Sequence, residues 1–146
     1  MFVNAKQYLR QAYKLNERIK DKEDRIADLR LSASSVGSID YSKEKVQSSP
    51  SGDAPFVKQT IMIIELEKKL QQDVNKLKRL KVEINQAIDE VEDINCSLLL
   101  SKRYIFMRTW EQIAEEMNYS VMQIHRIHKK ALSIFKIPNN AQNEDM

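Results

Sequence analysis

Glycine and proline are scarce in this 146-residue chain, which has two of the first and three of the second, where average usage would give roughly seventeen together. That shortage excludes most all-β and α/β folds, whose many turns need these residues. Gly37, Pro50, Gly52 and Pro55 fall in one stretch and only Pro138 lies elsewhere, so one interruption separates two long uninterrupted tracts. Cysteine is limited to Cys96, which excludes an internal disulfide and a thiolate zinc cluster. Long apolar runs are missing too: none approaches the roughly 18 residues of a membrane span, and Met1-Phe2-Val3-Asn4 does not open a secretory leader. A cytoplasmic protein without membrane contact is expected. Aromatics make up 7% of the chain and charged residues 31%, the balance of long helices with narrow apolar stripes. An all-α protein follows.

The net charge of +3 is unevenly spread. Lys and Arg against Asp and Glu give +3 over residues 1–31 and +4 over 98–138, while 32–56 and 57–97 each give −1 and 139–146 give −2. A basic excess of this size is compatible with a nucleic-acid partner without arguing for one alone.

The first tract opens with Asn4 and Gln7 at capping-box spacing, with Val3 placed to staple against Tyr8. Ala12, Leu15, Ile19, Ile26 and Leu29 then recur at helical spacing, interrupted by Lys22, which predicts an amphipathic helix over 4–31. Residues 32–56 collect Ser, Gly and Pro without periodicity and read as a flexible linker. Over 57–97 a seam runs through Ile63, Leu66, Leu70, Val74 and Leu77. It continues through Lys81, Ile84, Ile88, Val91, Asn95 and Leu98, predicting a long coiled-coil helix. Lys81 and Asn95 occupy polar seam positions, which either fix register or mark a frayed seam. The partner is either the first helix folded back or a second copy in a homodimer.

Residues 98–138 leave the heptad and carry two helix starts close together. Thr109 with Gln112 and Ser120 with Gln123 form capping boxes, and Tyr119 is placed to staple against Ile124. Two helices joined by a short turn are the anatomy of a helix-turn-helix. Ala114 suits the close crossing, with Ile113 and Met117 beside it. At 100° per residue Ile124, Ile127, Ala131, Ile134 and Phe135 define the inward face of the second helix. Met122, Arg126, Lys129 and Ser133 point the other way, flanked by Gln123, His125 and Lys130. Residues 139–146 form a disordered tail.

The run Trp110-Glu111-Gln112-Ile113-Ala114, followed by Tyr119 to Leu132 and preceded by Arg103-Tyr104-Ile105, resembles the helix-turn-helix of region four of bacterial sigma factors. It is most similar to the sigma-region-four-like proteins encoded by phages and prophages of Gram-positive bacteria. The resemblance covers about residues 98–136. It implies a regulator of phage transcription whose second helix enters the major groove of double-stranded DNA, with Met122, Gln123, Arg126 and Lys129 facing the bases. Thr109 and Ser120 would then place helix N-termini near phosphates. Asn118 stands where such motifs usually have glycine, and asparagine is the next most tolerant of a left-handed turn. Sigma regions two and three have no counterpart, so a complete sigma factor is not expected.

Arg126, central on the outward face, is the candidate for guanine or phosphate contact. Lys129 and Lys130 are phosphate candidates, and His125 lies at the edge of the face. His128 falls close to Ile124 and reads as a packing residue, as do Trp110, Tyr104 and Phe106. The two histidines lack a further ligand at metal-binding spacing. Glu111, Glu115 and Glu116 are spaced as a solvated helix face, with no nucleophile or base beside them. Neither an enzyme nor a cofactor is expected. Two alternatives share these residues: a module that docks RNA polymerase or another protein without reading DNA, and a phage DNA-packaging subunit.

Overall fold

A computed structural model describes residues 4–40 and 50–138. Among them the protein is all-α. Five α-helices follow one another: α1 Ala5–Asp40, α2 Pro50–Asp89, α3 Ile94–Leu100, α4 Trp110–Met117 and α5 Val121–Ile134, with a π-helical turn at Ser101–Ile105 after α3. Val3 and the tail 139–146 lie outside the described residues, as does the middle of the expected linker, 41–49. Both long helices run further than the apolar periodicity suggests. Residues 32–40 contain no proline to remove a ladder donor, and Pro50 opens α2 where no donor is needed.

The chain divides into two units, one of Glu17–Asn75 and one of Met1–Asn16 with Lys76–Met146. In the first, α1 and α2 run antiparallel, since Arg18 and Lys22 pair with Asp73 whereas the later Arg30 pairs with the earlier Glu67. Ile19 and Ile26 are buried from α1 and Leu66 from α2. Lys22, which breaks the apolar stripe in the sequence, is there to meet Asp73. That carboxylate is 3% exposed and accepts from Arg18 Nε at 3.0 Å and Nη2 at 2.6 Å as well as from Lys22 Nζ.

Hydrogen bonding from Arg18, opposed by burial and supported by Lys22, lowers the Asp73 pKa from 3.8 to about 2. A carboxylate whose folded pKa is depressed adds stability above its unfolded pKa and loses it as pH falls toward the folded one. With a discount for the half-exposed Arg18, the expected contribution is about 1–2 kcal/mol above pH 4, lost between pH about 4 and about 2. Asp73→Asn should therefore be less stable than the wild type at pH 6, the gap closing toward pH 2. Urea unfolding followed by circular dichroism tests this, and parallel pH profiles for the two proteins would refute it.

In the other unit Asn4 and Gln7 cap α1 reciprocally, each side-chain oxygen accepting the other's backbone N–H. Tyr8 is buried there, donates to Glu83 Oε2 at 3.0 Å and stacks on Phe135. Leu77, Ile84 and Ile88 of the expected seam are buried and Lys81 is half-buried. The seam does not continue to residue 97, because α2 ends at Asp89 and a new helix begins. Asp93 caps it, accepting from the Cys96 N–H at 3.0 Å. Asn95 and Leu98 therefore sit on α3 as exposed residues, not in a coiled-coil seam. The Asn95 amide donates to the Tyr119 hydroxyl at 3.2 Å. Cys96 is fully buried, with its thiol 3.9 Å from the Ile127 carbonyl.

The core around α3, α4 and α5 is Leu99, Ile113, Ala114 and Ile124, with Trp110, Met117, Tyr119 and Ile127 packed against it. Two expected packing residues lie outside it: Phe106 is exposed with Arg108 over its ring, and Ile134 is exposed in the last turn of α5. At the C-terminal end of α5 the inward face narrows to Ala131 and Phe135.

Candidate nucleic-acid interface

The approach to α4 is set by the π-helical turn. The Phe106 N–H donates to the Ser101 carbonyl at 3.1 Å, and Met107 then takes a left-handed conformation with φ 55°. Thr109 caps α4 in a complete capping box: its hydroxyl accepts the Gln112 N–H at 3.2 Å while Gln112 Oε1 accepts the Thr109 N–H at 2.9 Å. Asn118 ends α4 in the left-handed region, φ 59° and ψ 42°. Its side chain lets the backbone reverse at low cost. Two residues later Ser120 caps α5 the same way, accepting the Gln123 N–H at 3.1 Å while Gln123 Oε1 accepts the Ser120 N–H at 2.9 Å. Both caps are exposed, which leaves the other first-turn N–H groups for an anion.

Ile124 and Ala131 bury one side of α5, so Met122, Gln123, Arg126, Lys129 and Ser133 emerge on the exposed side. Arg126 lies along Met122, with Nη2 3.8 Å from its sulfur. Gln123 commits its carbonyl oxygen to the cap and keeps its NH₂ available. Among the described residues Arg126 and Lys129 have no carboxylate partner, whereas Lys130 is paired with Asp93 at 3.0 Å. The Cys96 N–H first, and Lys130 next, bring the Asp93 pKa down to about 2, and the same pair raises that of Lys130. Lys130 thus ties α5 to the start of α3. His125 is exposed, its ring 4.9 Å from that of Trp110.

Three other cations of this unit, Lys102, Arg103 and Arg108, are also committed. Glu116 receives Lys102 and Arg108, each at 2.8 Å, and its pKa is lowered by Lys102 foremost. The Arg103 guanidinium lies between the Tyr13 ring at 4.5 Å and the Trp110 ring at 4.2 Å, and donates to the Arg108 carbonyl at 2.9 Å. It positions the entry to α4. His128 is half-buried between Tyr104, whose hydroxyl is 2.7 Å from Nε2, and the edge of Trp110. Burial foremost, with the nearby Arg103, lowers its pKa to about 4, and burial raises that of Tyr104 to about 12. Sequence spacing did not reveal the roles of Arg103, Glu116 and Asp93, since each depends on contacts between separate elements. The one local signal was Asp93 three residues before Cys96, an N-cap spacing.

No group of three or more His, Cys, Asp or Glu placed to hold a metal ion occurs among the described residues, and no helix there is long and apolar enough to cross a membrane. These features define an all-helical protein with a doubly capped helix pair that presents a polar, basic face. The chain belongs to the family described as "Protein of unknown function (DUF1492)", which matches residues 35–136. No curated protein and no solved structure matches it.

Proposed function

We propose that this protein is a sequence-specific DNA-binding regulator of transcription, of the phage-encoded kind that resembles sigma region four. In this reading α4, the turn at Asn118 and α5 form a helix-turn-helix. α5 enters the major groove, and the N-termini at Thr109 and Ser120 approach phosphates. The observation that carries it is the outward face of α5, where Arg126 and Lys129 stay exposed and unpaired with any carboxylate of the described residues, while Lys102 and Arg108 share Glu116 and Lys130 is held by Asp93. A cation already held by a carboxylate gains less from a phosphate, so Lys130 ranks below Lys129 as a contact. Arg126 selects bases with Gln123 and Met122 beside it, and His125 borders the contact.

The test is a gel shift and fluorescence-anisotropy titration with duplexes from the DNA flanking the gene. Arg126→Ala should weaken specific binding by about 1–3 kcal/mol. Lys129→Ala should lower the slope of log affinity against log salt by about one and weaken all sequences alike. Failure to retard any fragment at low salt would refute DNA readout and favour docking to RNA polymerase or another protein.

A further inference from the structure

The seam side of α2 is used within the chain, yet α2 carries a second apolar stripe. Val57, Ile61 and Ile64 are 50%, 50% and 47% exposed. At 100° per residue they share about 60° of arc, roughly opposite the side on which Leu66 is buried and Leu70 half-buried. Such a stripe costs hydration free energy unless something covers it. The spacing of four, three and four from Val57 through Ile61 and Ile64 to Lys68 is that of a coiled-coil seam.

The flanking charges identify what covers it. With Ile61 and Ile64 as adjacent seam positions, Lys58 and Glu65 both fall on the same flank, one heptad apart. In an antiparallel pair of identical helices that flank faces itself. Lys58 of each copy then meets Glu65 of the other, giving two ion pairs from one symmetric contact. In the same alignment Ile61 lies beside Ile64 of the second copy, and Lys68 lays its stem along Val57. A parallel pair would instead set Lys68 against Lys68. We infer that the Val57–Ile61–Ile64 face of α2 binds a second copy of this chain antiparallel, forming a two-fold homodimer. This stands independently of the DNA-binding reading.

The contact is only about three helical turns long, so the association is expected to be weak and to depend on protein concentration. Sedimentation equilibrium of the full chain, from about 5 to about 500 µM, reads it directly. The wild type should pass from monomer to dimer. Ile61→Glu should remain monomeric throughout, with an unchanged circular dichroism spectrum because the side chain is exposed. Lys58→Glu should weaken association about five- to tenfold at low salt, since it turns both ion pairs into repulsions. Adding Glu65→Lys should restore association. A monomeric wild type, a dimer that survives Ile61→Glu, or a double variant no better than Lys58→Glu would each overturn the proposal.

Discussion

Replacing Ile124 with alanine is expected to destabilise the α3–α5 unit by about 2–5 kcal/mol, while Met122→Ala, two residues away, leaves stability within about 0.5 kcal/mol. Ile124 is fully buried with Leu99, Ile113 and Ala114, so truncation loses the transfer energy of its outer carbons and leaves a cavity that three helices must collapse around. Met122 is 66% exposed and leaves none. The chain has a single tryptophan, and Trp110 packs against this same cluster. Its fluorescence in a urea titration therefore reports the unit without interference from the rest of the chain. Equal effects of the two substitutions would contradict the assignment of inward and outward faces on α5.

Lowering the pH from 6.5 to 4 is expected to remove about 1–2 kcal/mol from the stability of this unit through His128, after a discount for its half-exposed ring. Burial holds its folded pKa near 4, against an ordinary value of 6.5, so the folded state keeps the ring neutral where the unfolded chain already binds a proton. The stabilisation is complete above pH 6.5, declines as the pH falls through that window and changes no further below it. His128→Gln keeps a hydrogen-bonding group near the Tyr104 hydroxyl without the titration. Its stability should be nearly flat over the interval once other groups are matched by comparison with the wild type. A profile for the variant that declines as steeply as the wild type's would assign the effect elsewhere.

The local features of the fold were legible in the sequence. The boxes at Thr109–Gln112 and Ser120–Gln123, the left-handed Asn118 and the burial of Ile124 and Ala131 all follow from interactions between residues a few positions apart. The end of α2 was hidden because Val91, Asn95 and Leu98 keep the heptad spacing by coincidence. The acidic cluster Asp89, Glu90, Glu92 and Asp93, unfavourable at a helix C-terminus and favourable ahead of a new one, was the competing signal. Lys22 looked like a defect in a stripe because the Asp73 that justifies it lies far along the chain. The division of cations into paired and unpaired was likewise invisible, since Glu116 and Asp93 meet their lysines and arginine only after the helices pack. Charge counting registered the basic excess of 98–138 but could not say which residues keep it.

The break between Asp89 and Ile94 also shapes how this family can vary in length. A residue inserted within a continuous helix rotates everything beyond it by about 100° and turns a buried stripe toward water. Residues 90–93 are not helical, and α3 starts afresh from its own cap at Asp93. An insertion just before that cap is taken up by the connection, so the helices that follow keep their phase. Insertions and deletions should accordingly collect at this joint in related chains, and be rare between Lys76 and Ile88.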